Sequence, residues 1–380
     1  MPTGTYEGVP ITDRSTYQKL TSAEIYIPRI RFACWTKTPF TRAVAAEGYG
    51  VESLQSLEQF HNATPTGRII RMDSGKYQIT GSIFNNSATT YHSGRMTRRN
   101  PQLIEGGAQF AYAWHQLNAV AYAPVIDVDD NAGGPIDILM HKMQVIQNQL
   151  VQDFNYALLG HASGPDYGTL GPSAVYSDLP NLISVTQTTG RDIGGIDRAE
   201  TYWINGYTAI TSVGGGHELD RPINLRRKML KRSNTQMTYG ESTGPQDYMI
   251  LTTQGGHQYY DRLSYADALT TGKGDFSIST RYDAAGVQAQ AFNGAPMIWD
   301  PAVTVPIGAT ASTEAFYGIH IPNFLIGIRK EHNFKWSGWE MPRQHDEYDT
   351  MVGAVSVRYT PGVVNRRPHW VCYNIPSCPD

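Results

Sequence analysis

Between residues 134 and 160, apolar residues recur at steps of three and four positions. That spacing lines them up along one face of an α-helix. Pro135 suits the first helical position, and Gly160 suits the position just after the last turn. The pattern therefore predicts one long helix, roughly 40 Å in length at about 1.5 Å per residue. Its apolar positions are Ile136, Leu139, Met140, Met143, Ile146, Leu150, Phe154 and Leu158.

Ahead of this helix, short apolar runs alternate with polar stretches. Two strand-like runs in 67–84 flank Asp73-Ser74-Gly75, which predicts a hairpin turn. A polar, glycine-rich stretch follows, and then a stretch rich in aromatic and β-forming residues. We interpret 67–128 as a long, protruding, two-stranded loop, because such a long loop in a compact protein is usually functional or disordered.

The segment before this loop, 1–66, is irregular in its pattern. Pro28 interrupts an apolar run there, which predicts an edge strand or a docking strand because proline cannot donate a ladder hydrogen bond. Such a segment is suited to extend over another surface as an arm.

Helical and strand patterns are mixed after residue 200. Residues 223–232 predict a basic helical segment, 247–253 a strand, and 254–269 a second helix-like stretch. Near the end of the chain, two strands are predicted. In the first, apolar residues occupy every second position, at Val355, Val357 and Tyr359, and the second is an apolar run at 369–375.

Residues 291–301 form a compact local pattern of turn, strand and turn. Asn293-Gly294 predicts a tight turn, because these residues accept the positive φ angles that it needs. The next apolar residues predict a very short buried strand, and Asp300-Pro301 predicts its end. No catalytic motif stands beside this strand.

The composition is poor in charge. Charged residues are 17% of the chain, against about 25% in typical domains, while it contains 23 Tyr and 7 Trp. Interface cores are depleted of charge and enriched in aromatic residues, so much of the surface is predicted to be covered by other protein. A large ordinary globular protein is the alternative. The net charge of −3 implies no general attraction to nucleic acid or acidic membranes.

The cysteines and the apolar runs bear on the compartment. Cys34, Cys372 and Cys378 are an odd number in a long chain, which argues against a disulfide framework and for a reducing compartment. The first residues show no secretory signal. No apolar run approaches the roughly 18 residues of a membrane span.

Each candidate catalytic or ligand-binding motif in the sequence lacks a residue that its chemistry requires. Residues 127–134 begin like a calcium loop, but Ile138 stands where the glutamate ligand is needed, so capping of the long helix is the better interpretation. The sequence at 160–164 lacks the central serine of a nucleophile elbow, and the glycines at 214–220 lack a phosphate-loop lysine. His345 has only Asp346 beside it. We therefore predict no catalytic, metal or cofactor site.

One basic run remains as a candidate contact surface. Arg226, Arg227 and Lys231 lie in the predicted basic helix and are suited either to weak DNA contact or to contact between subunits. A solvated helix face is the simpler alternative, since no aromatic residues are interleaved with these cations as in single-strand binding sites.

Three stretches together resemble the major capsid protein of tailed bacteriophages, with the Hong Kong ninety-seven type fold. Residues 193–205 resemble the segment after the long helix, 292–301 a short central strand, and 365–375 the usual ending. The resemblance spans about 67–375, and the order and spacing of the parts carry it. The short strand is then part of the scaffold and not of an active site.

This resemblance implies an α+β fold and an order of domains. An N-terminal arm and lead-in occupy 1–66, and an extended two-stranded loop occupies 67–128. A peripheral domain with a long spine helix comprises 129–215 and 335–380, and a mixed axial domain comprises 216–334.

The resemblance also implies a structural role without enzymatic activity. The chain would assemble with itself into hexamers and pentamers of an icosahedral virion shell around double-stranded DNA, built in the host cytoplasm. Arg95, Arg98 and Arg99 in the extended loop are then candidate contacts between subunits. Portal, scaffolding and decoration proteins are possible partners, and DNA contact is non-specific. Because the arm is too short for a built-in scaffold, a separate scaffolding protein, or none, is expected.

The alternative of another class is a soluble β-rich enzyme or glycan-binding protein. In that case paired aromatic residues would line a sugar cleft. The candidates are Tyr259 with Tyr260 and Trp336 with Trp339.

Overall fold

The structure, a computed structural model, describes most of the predicted elements. The described residues are 5–6, 9–10, 26–49, 69–73, 79–84, 107–124, 138–160, 178–185, 192–210, 222–239, 244–260, 281–282, 288–306, 309, 313–340 and 350–376.

The helices lie in both halves of the chain, and residues 254–260 are also helical. The other α-helices are α1 (Tyr26–Thr36), α2 (Pro39–Tyr49), α3 (Ile138–Leu159), α4 (Leu179–Leu182) and α5 (Pro222–Met237).

The strands up to the middle of the chain are β1 (Thr5–Tyr6), β2 (Val9–Pro10), β3 (Ile70–Asp73), β4 (Ile79–Phe84), β5 (Gly107–Tyr112), β6 (His115–Pro124), β7 (Asp192–Ile193), β8 (Ile196–Asp197) and β9 (Gly206–Ala209). Those that follow are β10 (Tyr248–Thr252), β11 (Arg281–Tyr282), β12 (Gln288–Phe292), β13 (Ala295–Trp299), β14 (Thr313–His320), β15 (Phe324–Arg329), β16 (Lys335–Glu340), β17 (Thr350–Val363) and β18 (Trp370–Pro376).

The chain divides into two compact units. Unit 1 comprises Met1–Lys76, Trp114–Gly164 and Ile326–Thr360, and unit 2 comprises Tyr77–Ala113, Pro165–Leu325 and Pro361–Asp380. Each unit therefore draws on stretches that are far apart in sequence.

Unit 1 is built around a five-stranded sheet in the order β16-β17-β15-β3, with β6 also paired to β17. The helix α3 packs against both α1 and β6. Phe154 of α3 lies at the centre of an aromatic cluster, with its ring centroid 5.2 Å from that of Trp35, 5.7 Å from Phe334 and 5.4 Å from Tyr359. All three contacts are edge-on, the geometry that aromatic quadrupoles favour.

Unit 2 contains a seven-stranded sheet in the order β11-β12-β13-β10-β14-β18-β9. The helix α5 packs on β9 and β18 and contributes Leu225 and Met229 to a buried apolar cluster with Trp370 and Phe316. The antiparallel ribbon of β4 and β5 also belongs to this unit.

The predicted body and end of the long helix and the predicted central strand are confirmed, whereas Pro135 and Ile136 lie outside the described residues. The predicted face of α3 is buried at Leu139, Met143, Ile146, Leu150, Phe154 and Leu158. Gly160 has a φ of 75° and donates its N–H to the Tyr156 carbonyl at 2.8 Å, which closes the helix in the expected left-handed cap.

The turn before β13 is also as predicted. Asn293 and Gly294 have φ angles of 51° and 87°, and they join β12 to β13 as an antiparallel hairpin. Asp300 follows the strand and accepts a hydrogen bond from the Ala302 N–H at 2.9 Å, so the chain turns away there. The strand pairs in parallel with β10, inside the seven-stranded sheet.

The edge or docking strand predicted around Pro28 is wrong, because the structure has the helix α1 there. Pro28 is the third residue of α1, within the first turn, where a backbone N–H has no helical acceptor in any case. Ile30, Ala33 and Cys34 then share a buried face. The helical spacing of these residues outweighs the proline.

The hairpin predicted at Asp73-Ser74-Gly75 is also wrong. Both predicted strands exist, but β3 pairs in parallel with β15, while β4 pairs with β5. The later aromatic-rich stretch forms β6, which leaves the ribbon and pairs with β17 over ten residues, from His115 to Pro124. Only β4 and β5 therefore form the two-stranded part of the predicted loop among the described residues.

The last strand, β18, lies inside the seven-stranded sheet of unit 2, between β14 and β9. Its apolar side chains match an interior position in the larger sheet, since Trp370, Val371 and Cys372 are fully buried. The predicted bounds of the peripheral and axial domains stay a prediction.

Candidate interaction surfaces

The outward face of α5 carries cations in the absence of carboxylates. The helix contains five Lys or Arg and no Asp or Glu. Leu225, Met229, Ser233 and Gln236 are buried, whereas Arg227 and Lys231, one turn apart, are exposed. The structure therefore brings two of the predicted contact residues together on one solvent-facing helix surface.

The flanks of this surface hold the helix on the sheet. Arg232 donates from Nε to the Thr208 hydroxyl of β9 at 2.8 Å, and Gly206 of the same strand lies against the side chain of Gln236. Beneath the helix, burial raises the pKa of the Cys372 thiol to about 12, so this cysteine is held as an unreactive thiol.

The remaining predicted contact residues fall outside the description. The side chain of Arg226 and all of Arg95, Arg98 and Arg99 lie outside the described residues. The role expected for these four arginines therefore stays a prediction.

A second surface, which sequence reasoning did not single out, is the outer face of the five-stranded sheet in unit 1. In β6, Ala119, Ala121 and Ala123 are buried, whereas Val120 is 44% exposed and Tyr122 is 59% exposed. Opposite them on β17 stand Ala354 and Val352, both half-buried.

The result is a small apolar patch on a sheet face, with uncharged polar residues farther along the strand. Alanines recur at every second position of β6, but this spacing does not say which face another element covers. Only the packing of α3 against β6 decides that the alanines lie inside and Val120 and Tyr122 outside.

The ribbon of β4 and β5 has a firmly packed root in unit 2. Phe110 stacks on Trp203 with ring centroids 5.7 Å apart, and Gly81 leaves room for the Phe110 ring where any side chain would collide. The Tyr112 hydroxyl donates to the Val363 carbonyl at 3.0 Å. Burial raises the pKa of Tyr112, so it stays a donor. The base of the predicted extended loop is thus fixed to the core of its unit.

The interior of unit 2 holds a buried cation. Arg366 is fully buried and donates from Nε to the Leu182 carbonyl at 2.6 Å and from Nη2 to the Ser184 hydroxyl at 2.7 Å. Burial lowers the pKa of Arg366 to about 9, with a further contribution from Arg198. The guanidinium remains charged at neutral pH and ties the 178–185 segment to the tail.

A histidine pair lies near this arginine. The backbone N–H of His320 donates to Nδ1 of His369 at 3.1 Å, and the two rings are 6.4 Å apart. Burial lowers the pKa of His369 well below its usual value, and the positive charges possible on His320 and Arg366 lower it further. Because Nδ1 is an acceptor, His369 is neutral with its proton on Nε2.

These polar groups lie in the interior of unit 2. Among the described residues, no three His, Cys, Asp or Glu side chains gather as a metal site would need. None of the described helices has the length and apolarity to cross a bilayer.

The aromatic pairs proposed for a sugar cleft pack into cores instead. The rings of Trp336 and Trp339 meet edge-on at 5.4 Å over Gly353, and Trp339 also packs against the cluster of Ala123, Leu139 and Met351. Tyr260 is buried in the apolar cluster of unit 2. These residues are packing groups, so the glycan-binding alternative receives no support from them.

No protein-family model matches the sequence, and no curated protein matches it either. Solved structures do match. A chain of the cyanophage A-1(L) capsid asymmetric unit is 16% identical, with a TM-score of 0.51 over 80% of this chain and 89% of that chain. A chain of the capsid of Myoviridae phage XM1 is 9% identical, with a TM-score of 0.46 over 80% and 88%. One from the capsid of cyanophage P-SCSP1u is 13% identical, with a TM-score of 0.44 over 80% and 86%. The fold is therefore that of a phage capsid subunit, with the α+β character expected from the sequence.

Proposed function

We propose that this chain is the major capsid protein of a tailed bacteriophage, with the Hong Kong ninety-seven type fold. It assembles with itself into the icosahedral shell that encloses the double-stranded DNA genome. The observation that carries the proposal is the fold shared with the cyanophage A-1(L) capsid chain, across 89% of that chain. The low charge content supports it, because a shell subunit covers several flanks with its neighbours.

In this proposal the chain acts as a structural protein and not as an enzyme. Copies make head-to-tail contacts that close into hexamers and pentamers, since heterologous contacts form rings when the rotation closes. The shell forms in the host cytoplasm and becomes part of the virion. Portal, scaffolding and decoration proteins are further partners in the proposal.

The two units suggest how the roles divide. Unit 2, with the seven-stranded sheet, supplies the axial domain, and unit 1, with α3, supplies the peripheral domain. The fixed root of the β4–β5 ribbon supports a role for the extended loop in reaching a neighbouring copy, because a protruding contact needs a rigid base.

Assembly of the purified full chain tests this function. We expect negative-stain microscopy and size-exclusion chromatography to show rings, shells or tubes that grow with protein concentration. A monodisperse small particle at all concentrations, and also after co-expression with the other head proteins of the same phage, would contradict the proposal.

The three loop arginines provide a sharper test. We propose that Arg95, Arg98 and Arg99 pair with acidic groups of a neighbouring subunit. Changing all three to Glu should block assembly and leave the circular-dichroism melt unchanged. A normal yield of shells from this variant would rule out the role of these arginines and leave the shell function itself intact.

A further inference from the structure

The outward face of α5 is the most strongly charged helix surface in the described part of the chain. It carries Arg227 and Lys231 in the open, with Lys228 and Arg232 half-buried at its sides. The exposed positions that continue it are Asn234, Thr235 and Thr238, all uncharged. Within the described residues, neither Arg227 nor Lys231 forms an ion pair.

The spacing of the two exposed cations suits a row of phosphates. They stand four residues apart, which is about 6 Å along the helix axis. Double-stranded DNA carries about one negative charge per 1.7 Å of its axis, so several phosphates lie within reach of two long, flexible side chains at once. Recognition of this kind needs no base-specific groups, and the uncharged neighbours on the face offer no opposing charge.

The described residues include no helix or strand with two exposed carboxylates that would match the α5 cations. The exposed carboxylates among them are Glu200, Glu331 and Glu340. Glu331 is already engaged by Arg329 at 3.0 Å. A row of phosphates therefore matches the two adjacent cations of the α5 surface, and a second copy of this chain is the alternative occupant that the experiment tests.

We infer that the outward face of α5 binds the phosphate backbone of double-stranded DNA, through Arg227 and Lys231, without sequence preference. The inference rests on the proposed function for its biological setting, since it names the part of the shell subunit that meets the packaged genome. The contact is weak for each subunit and is repeated over the many copies of a shell.

The experiment measures binding of random-sequence duplex DNA to the full chain by fluorescence anisotropy, between about 50 and 200 mM salt. In Arg227→Gln/Lys231→Gln, we expect the plot of log affinity against log salt to lose about 1.8 of its slope, because each phosphate contact contributes about 0.9. The loss should be equal for A·T-rich and G·C-rich duplexes. Glutamine is a good helix former, so the fold should be retained, as circular dichroism will show.

Two matched variants make the result specific. Lys330→Gln/Lys335→Gln removes two exposed cations from unit 1 and should leave the slope close to that of the unchanged chain. Arg227→Lys/Lys231→Arg keeps both charges on α5 and should keep the slope. An unchanged slope in the glutamine variant of α5, or an equal loss in the unit 1 variant, would overturn the inference.

Binding of poly-glutamate tests the alternative that the α5 surface binds an acidic polypeptide. If the α5 glutamine variant loses binding of poly-glutamate but retains binding of duplex DNA, the surface recognises an acidic polypeptide and the inference is wrong. Shell assembly is scored in parallel by microscopy. If the unchanged chain forms shells but the α5 glutamine variant shows no change in salt slope, the proposed function stands and the inference is refuted. If the salt slope changes but the unchanged chain forms no shells, the DNA contact stands and the proposed function is contradicted.

Discussion

The interiors of the two units differ in the kind of group that they bury. Among the described residues, every buried Asp, Arg and His lies in unit 2. These residues are Asp178, Arg198, Asp247, Asp300, His320, Arg366 and His369. The buried polar residues of unit 1 are Thr41, Asn155, Asn333 and Thr360, none of which carries a charge.

This difference shows that different interactions hold the two interiors together. In unit 1 the aromatic cluster around Phe154 depends on shape and contact area, which change little with pH. In unit 2 each ionisable group needs a hydrogen-bond partner, because an unpaired buried charge costs far more than an exposed one. Unit 2 therefore bears the desolvation cost of buried polar groups. These groups form hydrogen bonds between distant segments, such as that from Arg366 to Leu182.

The strongest test of unit 2 is removal of its last strand. Deletion from Gly362 onward takes away β18, which lies between β14 and β9, together with Arg366 and His369. About five buried apolar side chains are lost, at about 2 kcal/mol each, which is on the order of 10 kcal/mol and comparable to the roughly 5–15 kcal/mol of a whole domain. We expect insoluble protein, measured by the soluble fraction after expression.

Deletion of residues 1–20 is the comparison for this truncation. Most of these residues lie outside the described ones, and they contain few large apolar groups. We expect this variant to be soluble and folded but to assemble poorly. A soluble tail deletion with a cooperative melt would show that β18 is dispensable to unit 2.

A matched pair of substitutions compares the two interiors directly. Phe154→Ala should cost about 3–5 kcal/mol in unit 1 through the cavity that it leaves. Arg366→Met keeps much of the side-chain volume but leaves the Leu182 carbonyl and the Ser184 hydroxyl without their donor, at about 1–3 kcal/mol for each group.

Local hydrogen exchange provides the measurement for this pair. Phe154→Ala should raise exchange in α3, and Arg366→Met should raise it in 178–185. An Arg366→Met variant more stable than the unchanged chain would mean that the buried cation is a net cost, as replacements of buried ion pairs sometimes show.

The pH dependence should separate the units further. The folded protein holds His369 neutral, with a pKa below the usual 6.5. Its contribution to the free energy of unfolding is therefore complete above pH 6.5 and is lost as the pH falls below that value, at up to about 1.4 kcal/mol per pH unit. Asp178 acts in the opposite sense, because burial raises its pKa from 3.8 to about 6 and the fold gains from its protonation.

A variant isolates the histidine from the aspartate. In His369→Asn the amide oxygen can still accept the His320 N–H, but no proton is taken up. We expect the stability of the unchanged chain relative to this variant to fall as the pH drops from about 7.5 to 5, measured by urea unfolding. His115 of unit 1 also has a lowered pKa through burial, but it is only half-buried, so His115→Asn should alter the slope less. Equal slopes in both variants would remove the difference between the units.

The smallest effect on stability is expected at the surface of unit 1. Val120→Lys/Tyr122→Lys changes two exposed side chains and should shift the free energy of unfolding by about 0.5 kcal/mol or less per site. If the outer sheet face is covered by protein in the shell, the same variant should block assembly because it places two charges in an apolar contact. Normal shells would show that this patch stays open to solvent.

The features that the sequence alone determined are local ones. The spacing of apolar residues defined α3, since a helix places positions three and four apart on one side whatever surrounds it. Asn293-Gly294 defined a turn because few other pairs accept two positive φ angles. The exposure of Arg227 and Lys231 also followed from helical spacing, as both lie opposite Leu225 and Met229. The charge-poor composition pointed to a protein with covered surfaces.

Only the tertiary structure decided which strands pair and which polar groups are buried. An alternating strand such as β3 can satisfy its backbone beside β4 or beside β15, and the choice depends on surfaces supplied by residues about 250 positions away. Nothing local marks Arg366 as buried while Arg367 packs on the Tyr239 ring near the surface. Likewise, Val120 and Ala121 differ in exposure because α3 covers one face of β6. Such outcomes depend on contacts between distant segments. The hydrophobic pattern of a sequence indicates whether a segment is a helix or a strand, but not which other segment packs against it.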